Sequence, residues 1–343
     1  MTKMIAKLLA NRVRRTYLGG GRIDAFCGVP ADVLDGVPRP EDWLASTTQA
    51  FNGAIEIDGE GLGRIEDGRL VKDVAGTLPI LVKLLDSDER LVVQAHPTVP
   101  CAKRLFGSPV GKTECWYFLP GTAPDACVYL GFKSGVTREA WERAVRDCSQ
   151  ISNTNSARPT PLNPVENNPL LSFLHRIPVA PGDFVFVDGG VPHAIGAGCF
   201  MVELQEPSDL MVVAERFTPS GRRIPDAKMH GGVGWEKMFD VYEYEGLDYE
   251  EVCRRYVGRG FSRKERKDHK AFCVCGPEFT DKFGMWRVLG GGGIAFPRDC
   301  SVAVVTDGAG SVNGVDVKKG DRLLVCGAEN LEAHGDVALV VCA

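Results

Sequence analysis

The chain has 343 residues, of which 44% are hydrophobic and 25% charged, and a net charge of -5. Such a composition is that of a globular protein; the acidic balance argues against a general nucleic-acid binder, and no apolar run approaches the roughly 20 residues that span a bilayer. The length exceeds what one core usually reaches, so two domains, or one domain with a large insertion, are expected.

The opening Met4-Ile5-Ala6-Lys7-Leu8-Leu9-Ala10 is too short and too interrupted for a signal h-region, which gives the expectation of a cytoplasmic protein. The twelve cysteines are scattered singly and read mostly as buried, reduced thiols. Cys273-Val274-Cys275 is the one close pair, and its spacing is wrong for CxxC chemistry. From Arg12 to Gly53, turn signals such as Gly19-Gly20-Gly21 surround short apolar pieces, with nothing that matches a phosphate loop. Pro79 to Leu85 reads as a buried strand with Lys83 inside it, and snorkelling to the surface is the expected outcome for that lysine.

Leu91-Val92-Val93-Gln94-Ala95-His96-Pro97 reads as a strand whose alternation puts Gln94 and His96 on one face. An amide oxygen and an imidazole facing the same way make half of a metal site. Glu114 and His193 are the candidates for the other half, giving a mixed nitrogen and oxygen set that suits zinc or another divalent first-row ion. A loop to about Val110 is expected next, then a strand from Lys112 to Leu119. Alternation places Lys112 and Glu114 on the same face of that strand, either as a surface ion pair or as a cation beside the metal.

From Gly135 the period changes to that of a helix running from Thr137 to about Gln150. A Ser/Asn/Pro-rich connection covers 152–168, and Pro169 to His175 reads as a second short helix with His175 as a C-terminal cap or surface residue. The β pattern resumes at Val179. Turn, apolar strand, glycine turn and a histidine after proline, ending in Val191-Pro192-His193-Ala194, is similar to the second sequence motif of cupin barrels. The next strand, Phe200 to Gln205, sets Met201, Glu203 and Gln205 on one face, either a cavity wall or a solvated strand face.

Four segments now carry a specific resemblance: PILVKLLDSDERLVVQAHP, GKTECWYFL, VYLGFKSGVTREAWERAV and PGDFVFVDGGVPHAIGAGCFMVELQEPSD, in order from about residue 78 to 209. They resemble class I mannose-6-phosphate isomerases of the shorter bacterial type, in the cupin superfamily. The resemblance implies a zinc-dependent enzyme that interconverts mannose 6-phosphate and fructose 6-phosphate, with metal ligands at Gln94, His96, Glu114 and His193. It also implies functional lysines at Lys83 and Lys112 and an acid/base glutamate near Glu203. Two positions depart from the family pattern. The serine two residues before the glutamine, which helps hold the phosphate, is Val92 here, and the arginine four residues after the aspartate of the SD pair is Val213. Arg216, three residues on, is the candidate replacement, provided that a bulge turns it from the opposite face.

The reaction so implied removes a weakly acidic proton from the carbon beside a carbonyl and returns it one carbon over. Glu203 could move that proton, its alternative being a structural carboxylate in the barrel wall, while Lys112 offsets developing or phosphate charge.

Beyond Arg216, Trp235 to Tyr244 reads as a short helix or strand, and Asp248 begins a capped helix ending near Tyr256. Eight Lys or Arg between Arg254 and Lys270 read as a solvated linker. From Ala271 onward, short strands alternate with Gly and Asp turns, and Lys318 to Val325 echoes Ala180 to Val187, suggesting a second cupin-like unit. The expected fold is therefore all-β dominated: a cupin-type β-barrel over 1–240, with a helical insertion at about 135–178, and a degenerate, metal-free cupin-like β unit over 241–343. The expected partner is a small-molecule sugar phosphate, with no nucleic acid and no membrane. The alternatives are an isomerase or epimerase on a different sugar, and a metal-containing sugar-binding or regulatory protein.

Overall fold

The computed structural model describes residues 3–30, 39–51, 57–150, 168–259, 270–295 and 299–343. Strand outweighs helix, 37% against 19%, and the strands form three antiparallel sheets, so the all-β dominated class is borne out. The connection at 152–167 and the basic stretch at 260–269 lie outside the described residues.

The middle layer is a seven-stranded sheet in the order Val257–Gly258, Phe184–Val187, Glu114–Phe118, Cys199–Gln205, Leu81–Ser87, Glu41–Leu44 and Arg12–Val13. Its central strands are buried on both faces, and the two-residue period of a strand divides each between two cores. Along Glu114–Phe118, Trp116 and Phe118 pack with Leu85, Val187 and Met201. Cys115 and Tyr117 join Val302, Leu324 and Val340 on the other side.

A five-stranded sheet faces the first side, in the order Val212–Val213, Gln94–Ala95, His193–Ile195, Cys127–Phe132 and Leu174–Pro178. Val128, Leu130 and Ile195 from this sheet complete the barrel core. Its outer face is covered by the helix Arg138–Gln150, where Trp141 and Val145 pack with Phe132, Leu170 and Tyr242.

Eight strands form the third sheet, whose spine is the paired 13-residue strands Cys300–Val312 and Asn330–Cys342. The strands expected after Ala271 all fall within it. The first strand of the chain, Met4–Lys7, also joins this sheet, beside Arg322–Cys326. Cys300 and Cys326 oppose each other there and form a disulfide, while the other ten cysteines are free.

Several local expectations are corrected. The segment after His96 is not all loop: Val99–Phe106 is a helix, started by the Thr98 side chain accepting from the Cys101 N–H and by a proline in the first turn, and stopped by Gly107 in the left-handed region. Pro169–Phe173 is a 3-10 turn that ends early, because Leu174–Pro178 is a strand paired with Cys127–Phe132. His175 therefore lies in a sheet, buried, with Nε2 at 3.0 Å from the Leu247 carbonyl, and is neither a cap nor a surface residue. Trp235–Met238 and Phe239–Val241 are short helical turns, and Asp248 caps the helix Tyr249–Tyr256. Among the described residues no helix is long and apolar enough to cross a membrane.

Trp141 is fully buried, edge-on to Phe132 and Phe173 at 5.1 and 5.5 Å between ring centres. Truncation there leaves a cavity between insertion and barrel, so Trp141→Ala should lower stability by about 3–5 kcal/mol in denaturant unfolding.

Candidate metal and active site

Four strand pairings bring the polar residues of the barrel interior to one end. Gln94 lies between His193 and Val213 in the five-stranded sheet. In the facing sheet Glu203 lies between Lys83 and Trp116, and Glu114 is opposite Gln205. The inward positions of the same strands are apolar towards the other end, at Leu85, Phe118 and Met201.

The segments that follow the strands are tied closely to His96. The Gly190 N–H donates to the His96 carbonyl at 2.6 Å, and the Lys112 N–H donates to the Pro97 carbonyl at 3.0 Å. Gly189 lies against Thr98 so closely that a Cβ would sit 2.8 Å from the Thr98 Cα, so only glycine permits this approach.

His96, Glu114 and His193 form a buried cluster whose ligand atoms all lie within 4.8 Å of one another. Each imidazole holds a backbone carbonyl with Nδ1, His96 that of Leu210 and His193 that of Val191, both at 2.9 Å. Those bonds require the proton on Nδ1 and leave Nε2 as a lone pair. Both lone pairs point at the Glu114 carboxylate, 3.3 Å from Oε2 and 3.3 Å from Oε1. Burial disfavours the imidazolium that would relieve this, pushing His96 down to about 3 and also lowering His193. Burial opposes ionisation of Glu114, yet Lys112 and His96 outweigh it and hold the carboxyl well below its usual range.

Lone pairs and a carboxylate converging in a dry site call for a cation, and Glu114 Oε2, though close to the Lys112 ammonium, is buried and makes no well-aligned hydrogen bond. Gln94 Nε2 lies 3.3 Å from His193 Nε2, and a flip of its amide presents Oε1 in the same place. Two imidazole nitrogens, a carboxylate and an amide oxygen fit a divalent first-row ion. The four residues read from the sequence as ligands are thus brought together, with Trp116 edge-on behind His193 at 5.6 Å.

Lys112 Nζ lies 2.9 Å from His96 Nε2 and 3.1 Å from Glu114 Oε2, and is buried rather than part of a surface pair. The expectation that Lys83 snorkels to the surface is wrong. It is 2% exposed, and its Nζ lies 3.3 Å from Glu203 Oε1, 3.6 Å from Glu41 Oε2 and 5.2 Å from the centre of the Trp43 ring. These partners satisfy an ammonium that could not otherwise stay in the interior. Burial, and secondarily the Glu114 charge, raise Glu203 to about 7 against the pull of Lys83.

The sequence reading missed a second group that lines the same cavity: Arg15, Tyr17, Glu41, Asp209 and Lys228. Glu41 accepts from Arg15 Nε at 3.0 Å, Tyr17 Oη at 2.7 Å and Trp43 Nε1 at 2.7 Å. Asp209 takes the other edge of the Arg15 guanidinium, with two contacts of 3.1 Å. Alternation in Arg15-Thr16-Tyr17 and Glu41-Asp42-Trp43 was the available signal, obscured by the turn residues around them.

Arg216 is not in the cavity wall. Its guanidinium pairs with Asp226 and lies over the Trp235 ring at 5.6 Å. The paired strand ends at Val213, and Arg216 lies beyond it, paired away from the cavity lining. Gln205 donates to the carbonyls of Glu206 and Ser208 and serves the turn instead of the cavity.

No family profile matches the chain. Over 131 residues it is 34% identical to a Bacillus subtilis (strain 168) protein named "Probable mannose-6-phosphate isomerase GmuF" and 32% identical to mannose-6-phosphate isomerase ManA of the same organism. Each alignment covers 38% of this chain and 35% of the relative, so the match spans about a third of the length of either curated protein. In fold the likeness extends over the whole chain. The mannose 6-phosphate isomerase structure from Bacillus subtilis superposes with a TM-score of 0.68 at 19% identity, covering 99% of both chains. A mutant phosphomannose isomerase from Salmonella typhimurium gives 0.67 at 14% identity, over 98% of both. The resemblance seen in the motifs is borne out by both comparisons, and the chain shares the fold of these phosphomannose isomerase structures.

Because His193 contributes one of two imidazoles, His193→Ala should abolish tight binding of one metal equivalent, read as metal content after dialysis. Retention of a full equivalent would show that the ion sits elsewhere.

Proposed function

We propose that the protein is a divalent-metal-dependent aldose–ketose isomerase that interconverts mannose 6-phosphate and fructose 6-phosphate, with zinc as the expected ion. The observation that carries the reading is the convergence of two imidazole lone pairs on the Glu114 carboxylate, which lines one cavity together with Glu203. The names of the relatives supply the substrate class.

Gln94, His96, Glu114 and His193 would hold the metal, which when bound supplies charge stabilisation to the adjoining oxygens of the open-chain sugar. Glu203 would take the proton from C2 of the aldose and return it at C1, while the hydroxyl proton passes from O2 to O1. Its pKa of about 7 suits both halves of that exchange near neutral pH. Lys83, 3.3 Å away, orients the carboxylate and steadies its charged form. The Lys112 ammonium offsets the negative charge that develops on the sugar oxygens between the two transfers. Burial of all three groups keeps bulk water from competing.

The wall formed where Val92 and Val213 pack with Ile224 favours a second reading, in which the same chemistry acts on a different sugar. A coupled assay of the zinc-loaded protein with mannose 6-phosphate separates the two. Fructose 6-phosphate should form, and formation should stop on chelation and return with metal. Turnover of another sugar phosphate but not of mannose 6-phosphate would establish the second reading, and a metal-bound protein that turns over neither would refute both.

Glu203→Gln should lower kcat by about 10²- to 10⁴-fold while metal content is kept. As a base Glu203 must be ionised, so kcat/KM should rise with pH and be lost on acidification, with a midpoint at or below about 7, because a nearby dication favours the carboxylate.

A further inference from the structure

The charges that line the cavity are nearly all committed to one another. Arg15 is held by Glu41 and Asp209, Lys83 by Glu203 and Glu41, and Lys112 by Glu114. Lys228 is the exception. It lies on the short helix Asp226–Met229, partly buried, and lines the same cavity, and its ammonium makes no hydrogen bond or ion pair among the described residues. Its neighbour Met229 packs with Val92, Val213 and Ile224, beside the two family positions for phosphate and cation that carry valines here, and the lysine itself lies within reach of the charges of Arg15, Asp209 and Glu41. Burial, and then the charge of Arg15, lower its pKa, with Asp209 and Glu41 opposing. An uncompensated ammonium in such a place carries a free-energy cost that an anionic ligand removes.

The balance of charge gives the same sign. With the four carboxylates ionised, the four cations of the lining neutralise them, so a bound dication leaves the cavity with an excess of two positive charges. A phosphate monoester near neutral pH carries about -1.5 to -2.

We propose that Lys228 is the residue that binds the phosphate group of the substrate, holding by charge what a serine at position 92 would hold by a hydrogen bond. This rests on the sugar-phosphate reading above. It makes Lys228 a specificity-determining residue, separate from the metal and from the proton-transferring pair, and it makes the valine wall a steric guide that leaves the phosphate one polar contact on that side.

The test uses the full chain with Lys228→Met and Lys228→Arg. In zinc-loaded protein, Lys228→Met should raise KM for mannose 6-phosphate about 10- to 100-fold, the scale of a lost charge-assisted hydrogen bond, with the loss concentrated in kcat/KM. Lys228→Arg should recover most of it. Binding of inorganic phosphate to chelated protein, followed by calorimetry, should weaken by a similar factor in Lys228→Met and stay near the unmutated value in Lys228→Arg. Because this second measurement needs neither metal nor turnover, weakened phosphate binding supports the anion site even if the isomerase reading fails. Unchanged phosphate affinity in a folded Lys228→Met protein, judged by an unaltered melting profile, would overturn the proposal.

Discussion

The arrangement on which the rest depends is a frustrated contact: two buried imidazoles, each with its proton fixed on Nδ1, turn their lone pairs onto one carboxylate. In water such groups would be solvated or protonated. Inside the barrel neither is open to them, since burial holds both imidazoles neutral. A divalent cation resolves the conflict, and the proposed chemistry follows from having that charge beside a carboxylate whose own proton is loosely held.

Placing such a cluster requires the layered fold. The seven-stranded sheet gives one face to the C-terminal sheet and the other to the barrel, so its strands must be apolar outward and are free to carry charge inward only at one end. Lys83 and Glu203 oppose each other across two neighbouring strands, and Glu41 ties that pair to Arg15 and Tyr17. Such buried ion pairs add little net stability. Their value here is positional, since each fixes the rotamer and charge state of a group facing the cavity. The C-terminal sheet, with no His, Cys or carboxylate cluster of metal-binding geometry among the described residues, supports the middle layer from behind.

The candidate metal ligands were legible in the sequence from their spacing within short segments, Gln94 two before His96 and His193 after its proline, although the strand expected over Leu91–Pro97 shrinks to Gln94–Ala95. Lys83 was misread for the same local reason. A lysine in an apolar run snorkels unless partners from distant segments meet it, and Glu41 and Glu203 come from 42 positions before and 120 after. Asp209 and Lys228 carried no local signal, because only the folded barrel brings them to one cavity with Arg15. Arg216 was sought by counting along the chain, but the strand stops at Val213 and the arginine pairs with Asp226. The helix Val99–Phe106, by contrast, could have been read: threonine cap, proline in the first turn and closing glycine are all there.

The central claim is that the ion belongs to this imidazole and carboxylate cluster and not to any of the ten free cysteines. X-ray absorption at the zinc edge of protein reconstituted with one equivalent tests it most directly. The account predicts a first shell of nitrogen and oxygen at about 2.0–2.2 Å with imidazole scattering from two histidines. A sulfur shell at about 2.3 Å, or a shell without imidazole, would contradict it.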